Sequence, residues 1–384
     1  MVENVGLLKR KMAFLLLFNR LFVTFATNNS FHRKLSTENM DNPYIKQFPQ
    51  LMAGKKILYV HGFASSGQSG TVSRMRTVMP QATVIAPDLP IHPQEAIELL
   101  RRVCNDEQPD LIIGTSMGGM YAEKLYGYDR ILVNPALEMG DTMVSHNMMG
   151  TQHFQNPRLD GQQDFIVTKA LVKEYKEMTS HNFDGINDDE RHRVTGLFGD
   201  EDTTVDTYGL FSEHYPQAIH FHGEHRMDDR SFMHAVVPVI RWYDDRQQGR
   251  ERPVVLVGFE ALINASPSGR SGEVLPRSSS QKAYRRLIED YTLYIVAPAS
   301  DNRPESMGEV MRWVEQYINV PAWGHIVFTN HRQLLLGDYL ITTANNNAAG
   351  QDPGGFMGTV VSLGSESFKT WEEVIEFFNR LGGQ

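Results

Sequence analysis

A chain of 384 residues exceeds the usual span of one compact domain, and its 41% hydrophobic and 22% charged residues describe an ordinary globular protein. A net charge of -9 argues against a nucleic acid or an anionic membrane as the main partner, because either would want a basic face. One cysteine, Cys104, excludes an internal disulfide framework and any multi-cysteine metal site; with no glycine turn around it, Cys104 reads as a helix-packing residue.

The first forty residues stand apart. Lys9-Arg10-Lys11 and the apolar run 12–18 mimic the basic and apolar parts of a signal peptide, but Asn19 and Arg20 interrupt that run before Leu21. The segment is also too short and too broken to span a membrane. It reads as a poorly ordered extension over about 1–50, with Met40 opening the polar lead-in to the globular chain. A secreted or anchored form stays open beside the preferred cytoplasmic one.

Residues 55–61 form an apolar run that predicts a buried parallel strand, closed by His61-Gly62-Phe63-Ala64-Ser65-Ser66-Gly67. A helical stretch over 72–78 follows, then a strand over 82–86 ended by Pro87-Asp88-Leu89-Pro90. Apolar spacings of three and four over 94–103 predict an amphipathic helix. Strands over 111–114 and 130–133 come next, the second ending at Asn134-Pro135-Ala136. Short continuous apolar strands alternating with helices predict a parallel sheet covered on both faces. Chemistry on such a sheet sits outside the carboxyl ends of the strands, where Phe63, Ser116 and Asn134 fall.

Between the strand at 111–114 and a helix-compatible run at 120–126 stands Gly114-Thr-Ser-Met-Gly118. This is the G-x-S-x-G pattern, in which the serine sits on a strained turn and the flanking glycines avoid a clash with the neighbouring strand or helix. Ser116 would stand at a helix N-terminus, where backbone N–H groups hold developing negative charge. The turn after the early strand supplies one oxyanion-binding N–H, from Phe63, and the residue after the serine supplies the other, from Met117.

Residues 137–190 break the alternation and read as a small lid with one helical piece near 167–178; His146 and His153 within it lack a partner at metal-ligand spacing. A strand over 193–198 then leads to Gly199-Asp-Glu-Asp202-Thr-Thr-Val205. A carboxylate on this loop is where a triad acid belongs, and the chain order Ser, Asp, His is that of this arrangement. Asp202 is preferred because the apolar Val205 tucks the loop down, with Asp200 and Asp206 as alternatives. A last strand over 218–222 precedes His225, placed to act as general base and acid, while His220 and His222 are expected to point into or across the sheet.

Residues 54–245 resemble the small bacterial esterases of the YqiA/YcfP type, through Tyr59-Val-His-Gly-Phe63 and Gly114-Thr-Ser-Met-Gly-Gly-Met-Tyr-Ala122. The resemblance implies an α/β-hydrolase fold and a carboxylic ester hydrolase with Ser116, Asp202 and His225 as its triad.

Residues 247–252 are polar and read as a linker, after which strands at 253–257, 293–296, 326–328 and 339–341 alternate with helices at 283–288 and 308–317. This half resembles the haloacid-dehalogenase-like fold, more closely the 5'(3')-deoxyribonucleotidases, through Asp290-Tyr-Thr-Leu-Tyr-Ile295, Met311-Arg-Trp-Val-Glu-Gln-Tyr317, Gly337-Asp-Tyr-Leu-Ile341 and Phe368-Lys-Thr-Trp371. The resemblance implies an aspartate nucleophile, a second aspartate two residues on, and Mg²⁺. Those positions read Gly258 and Glu260; the expected Ser/Thr matches Ala297 and the acidic pair matches Thr342-Thr343, leaving only Asp338 and the basic candidate Arg332. The half is therefore expected not to hydrolyse phosphate esters, and to bind a phosphorylated ligand, pack on the first half or mediate self-association. Residues 345–355, rich in Asn and Gly, read as a mobile surface loop.

The sequence thus predicts two α/β domains, an α/β-hydrolase over 51–246 with its lid and a Rossmann-like haloacid-dehalogenase-type domain over 253–384. The expected activity is cleavage of a small-molecule acyl ester or thioester, with no cofactor or metal and no nucleic-acid or membrane partner. A non-catalytic ligand-binding protein is the alternative.

Overall fold

Short apolar runs become strands wherever both faces can be covered. The computed structural model describes residues 45–264, 274–300, 302–344 and 355–381; the predicted extension up to residue 44 and the Asn/Gly loop at 345–354 lie outside them. The first half holds strands β1 (Lys56–Val60), β2 (Thr83–Ile85), β3 (Leu111–Thr115), β4 (Arg130–Val133), a hairpin β5 (Gly150–His153) and β6 (Asp164–Val167), then β7 (Val194–Gly199) and β8 (Ala218–Phe221). Six of them form one parallel sheet in the order β2-β1-β3-β4-β7-β8. Every residue of β4 is buried, as a central strand covered on both faces requires.

Helices α1 (Gly70–Val78), α2 (Pro93–Glu107), α3 (Met117–Glu123), α4 (Met139–Ser145), α5 (Lys169–Ser180), α6 (Asp188–Arg193), α7 (Tyr208–Ser212) and α8 (Val237–Gln248) complete this half. α2 starts with a proline, which needs no N–H there, and buries Ala96, Ile97, Leu100 and Cys104 along one stripe. Burial pushes the Cys104 thiol up to about 11, in keeping with a packing role. α5 is capped by the Thr168 hydroxyl, which accepts from Leu171 N–H at 3.1 Å. The insertion at 137–190 therefore carries the helix expected near 167–178, as α5, and beside it two further helices and a hairpin that its mixed composition did not reveal. His146 and His153 are exposed there, and His153 pairs with Asp164 across the hairpin.

α8 runs to Gln248 and stops at Gly249, whose φ of 60° suits only a residue free to turn left-handed. Gln247 and Gln248 are therefore helical, not linker. Asp244 holds Lys55 Nζ at 2.7 Å, and Gln247 Nε2 donates to Asp110 O and Asp129 Oδ2, both at 2.8 Å. Polar residues on this face read as a linker only because the strand starts they tie down are distant in sequence.

The C-terminal half pairs β9 (Val254–Gly258), β10 (Thr292–Ala297), β11 (Ile326–Phe328), β12 (Tyr339–Thr343) and β13 (Thr359–Leu363) in the parallel order β11-β10-β9-β12-β13. α9 (Phe259–Leu262), α10 (Ser280–Leu287), α11 (Glu305–Tyr317) and α12 (Trp371–Leu381) accompany them. Its own core gathers Val255, Ile295, Ile341 and Val361 with Trp313, Trp371 and Phe378. Both sheets belong to one compact unit that starts at Gln47. They meet where Trp242 stacks on His325 at 5.8 Å and Arg241 Nη1 donates to Glu289 O at 3.1 Å. No described helix is long and apolar enough to cross a membrane.

Candidate active site

The strand order of the first sheet reverses between β1 and β3, and their carboxyl ends face one crevice. Ser116 occupies the turn from β3 into α3 with φ 54° and ψ -121°, a conformation that L residues rarely adopt. The turn is over-determined: Ser116 N–H donates to Val133 O at 2.9 Å, and its carbonyl accepts from Gly119 and Ala136 at 2.9 and 3.0 Å. Gly118 packs so closely on β1 that a Cβ would fall 2.0 Å from Val60 O; one on Gly114 would meet Gly118 O at 2.4 Å. The two glycines of the pattern are there for the steric reason expected of them.

His225 Nε2 lies 3.0 Å from Ser116 Oγ, and His225 Nδ1 lies 2.7 Å from Asp202 Oδ2. The other carboxylate oxygen of Asp202 accepts from Thr204 N–H at 2.7 Å and Val205 N–H at 3.0 Å. Val205 itself packs against the core beneath the loop. Burial alone would raise the Asp202 carboxyl; the hydrogen bond from His225 and the Val205 and Thr204 N–H groups outweigh it and hold the group below its usual value. The structure brings Ser116, His225 and Asp202 into one chain of hydrogen bonds. Asp200 instead meets His222 at 2.6 Å, and Asp206 is exposed.

Phe63, on the turn after β1, lines the crevice beside Ser116, and its ring packs edge-on against Phe165 of β6 at 5.3 Å. Met117 is the first residue of α3, so its N–H is one of the donors a helix leaves unpaired. Neither the Phe63 nor the Met117 N–H has a backbone acceptor among the described residues.

Two residues of the site have roles that the sequence did not reveal, Asn134, placed only at a strand end, and His61. Asn134, 2% exposed and at φ 44°, donates from Nδ2 to Glu224 O and His225 O, both at 3.1 Å, and accepts Gly199 N–H at 2.7 Å. One amide thereby joins the acid-bearing loop to the histidine-bearing loop. His61, 2% exposed, pairs Nδ1 with Gly62 O at 2.9 Å and accepts Leu89 N–H at Nε2 at 3.1 Å, which pins the Phe63 turn to the loop after β2. Burial lowers its pKa, against a smaller opposing pull from Gly62 O and Asp88, so the ring is neutral. The only sequence signal for either was a polar residue at a strand end.

His222 departs from expectation. β8 ends at Phe221, so the side chain leaves the sheet instead of crossing it. Its Nε2 faces the carbonyls of Glu315 and Gln316, at the end of α11, at 3.0 and 3.1 Å, and its Nδ1 faces Asp200. Partial burial would lower its pKa, but the Asp200 carboxylate and the two carbonyls raise it. His220 does turn inward, stacking on Tyr208 at 4.0 Å.

The crevice over Ser116 has a volume of about 490 Å³ and a mixed lining, polar at Ser65, Arg74, Asn156 and Arg226 and apolar at Phe63 and Met227, with Met139, Thr142 and Met148 contributed by the insertion. A larger groove of about 940 Å³ runs between α2 and α5, but none of Ser116, Asp202 and His225 reaches it. The candidate site therefore lies in the smaller space. Among the described residues, no group of three or more His, Cys, Asp or Glu side chains is placed to hold a metal ion.

Residues 56–240 match the model of the uncharacterised protein family UPF0227. The matched segment thus coincides with the sheet that carries Ser116 and His225, and the resemblance read from its motifs holds. A protein of Vibrio phage KVP40, provisionally named a 5'(3')-deoxyribonucleotidase, is 29% identical over 119 residues, covering 31% of this chain and 67% of that protein; the second resemblance holds too. Among solved structures, a marine microorganism esterase aligns with 50% of this chain and 94% of its own at 13% identity and a TM-score of 0.34. Est1E from Butyrivibrio proteoclasticus with bound ferulic acid aligns with 53% and 94% at 13% identity and a TM-score of 0.35. At these values the structural likenesses bear on neither substrate nor mechanism.

In the C-terminal half, Gly258 ends β9, Ala297 ends β10 and Thr342-Thr343 end β12, all at the carboxyl edge. Asp338 lies at the opposite edge, where its carboxylate accepts Val254 N–H at 2.7 Å. Arg332 is at the carboxyl edge, in a short turn after β11.

Proposed function

We propose that the UPF0227 segment is a serine hydrolase of carboxylic esters or thioesters, with 51–246 as its working domain and 253–384 as a phosphatase-like fold without its nucleophile. The observation that carries this is the hydrogen-bonded order Ser116, His225, Asp202 at 3.0 and 2.7 Å, on the turns that follow β3, β8 and β7 of one sheet. Ser116 Oγ attacks the acyl carbonyl as His225 Nε2 takes its proton; the same nitrogen returns the proton to the leaving oxygen or sulfur. Water then repeats the sequence on the acyl-enzyme, releasing the acid and restoring Ser116. Asp202, held ionised, fixes the ring with Nδ1 protonated and balances the imidazolium that forms. The Phe63 and Met117 N–H groups receive the oxyanion. The modest volume of the crevice suits a short acyl group.

The test is hydrolysis of p-nitrophenyl esters of increasing acyl length by the wild type and by Ser116→Ala, with fluorophosphonate labelling in parallel. The expected result is turnover that favours short chains and falls about 10³-fold or more in the variant, with Ser116 labelled. Turnover that survives in Ser116→Ala would refute the assignment. A folded wild type that neither turns over nor labels would favour the ligand-binding alternative.

A further inference from the structure

The C-terminal sheet also reverses its strand order at its first strand, between β9 and β12. Open parallel sheets receive ligands in the crevice outside the carboxyl ends of the strands at such a reversal. Here that place is already taken. Glu260, on α9 immediately after β9, folds its carboxylate back over Gly258, so close that a Cβ on Gly258 would lie 2.2 Å from Glu260 Oε1. Arg332 donates from Nη1 to Oε1 at 2.9 Å and from Nη2 to Oε2 at 2.8 Å, and Thr342 Oγ1, at the end of β12, donates to Oε1 at 2.8 Å. Arg332 is 2% exposed and Glu260 16%, so the carboxylate, not the guanidinium, is the member of the pair nearer solvent. Among the described residues, Glu260 gives Arg332 its one ion pair.

A planar guanidinium with a hydroxyl beside it, at the end of parallel strands, is a receptor for a small oxyanion, because both of its outer nitrogens donate in parallel to carboxylate or phosphate oxygens. We propose that the reversal point of the C-terminal sheet is such an oxyanion site, built from Arg332 and Thr342 over Gly258, and that the chain fills it permanently with the Glu260 carboxylate. The inference is independent of the hydrolase reading. An anion tethered one turn away competes at an effective concentration that free phosphate does not match, so the wild type excludes it. Glycine at 258 is then required by the plug itself. With the carboxylate gone, Arg332 would be left buried and unpaired, a costly state that a diffusing oxyanion relieves from the solvent side.

The experiment uses the full chain with Glu260→Ala, Glu260→Gln and the double variant Glu260→Ala/Arg332→Met, titrated with inorganic phosphate against chloride at matched ionic strength. Calorimetry and thermal melting are the readouts. The two single variants should melt below the wild type in chloride and bind one phosphate each. Their unfolding constants should fall by about 100-fold at a phosphate concentration roughly 100 times the dissociation constant. The wild type and the double variant should show no saturable response. Folded single variants indifferent to phosphate, or a wild type that binds as they do, would overturn the proposal. So would a failure of both single variants to fold in phosphate, since the anion should restore what the carboxylate supplied.

Discussion

Asn134→Asp keeps the shape of the side chain that joins the loops carrying Asp202 and His225 and alters only its hydrogen-bonding sense. The native amide donates to Glu224 O and His225 O at 3.1 Å and accepts Gly199 N–H at 2.7 Å. An ionised aspartate would set an oxygen against both carbonyls; a protonated one offers a single hydroxyl to two acceptors. At least one carbonyl on the histidine loop loses its part-buried hydrogen bond either way, at about 1–3 kcal/mol. If ~2 kcal/mol of that appears as misplacement of His225, then at ~1.4 kcal/mol per tenfold the turnover number falls about 30-fold. Asn134 does not line the crevice, so KM should hardly move. The assay is p-nitrophenyl ester kinetics at a temperature where circular dichroism shows the variant folded. A folded Asn134→Asp protein whose kcat stays within about threefold of the wild type would refute the claim that this amide positions the histidine.

Gly118→Ala should cost about 3 kcal/mol in a urea unfolding curve, because its Cβ would meet Val60 O at 2.0 Å and force α3 off β1. His222→Ala should lower stability by only about 1 kcal/mol, since that side chain is about half exposed and its Asp200 contact is screened. The His222 contribution has a raised folded-state pKa, so it should be complete below about pH 6.5 and vanish as pH rises through that folded value. His61 and His234 act the other way. Burial lowers both, His234 to about 4 with help from Arg285 and Arg230, so the unfolded chain binds the extra protons and stability should drain away as pH falls below about 6.5, for His234 until about pH 4. Discounted for partial exposure, His234 alone should account for about 1–2 kcal/mol, read as the shift in urea midpoint between pH 7 and pH 4.5 and reduced in His234→Phe.

The sequence by itself determined the frame of both halves. Short apolar runs alternating with helical stretches point to buried parallel strands, and Gly114-Thr-Ser-Met-Gly118 between a strand and a helix points to a tight turn. With the order of Ser116, Asp202 and His225 along the chain, these local facts located the candidate site, because in a parallel sheet every strand end that carries chemistry emerges on the same edge. The preference for Asp202 over Asp200 was readable for a local reason as well, the apolar Val205 that draws the loop inward.

What the tertiary structure decided is everything that depends on which strand ends become neighbours. Asn134 lies 90 residues from the Glu224 carbonyl it holds, and nothing within its own segment distinguishes it from a polar turn residue. The pattern puts His222 in the sheet, whereas it is bound to the far half, and residue 247 reads as linker because its partners at Asp110 and Asp129 are more than a hundred residues away. The substitution at Gly258 was visible in the sequence, but its meaning was not. Only the folded chain sets Glu260, Arg332 and Thr342 together, 72 and 82 residues apart along the sequence, so that an expected ligand position holds the protein's own carboxylate. Pattern and turn chemistry are local and are written in order; charge pairing and loop anchoring are properties of the distances that folding creates.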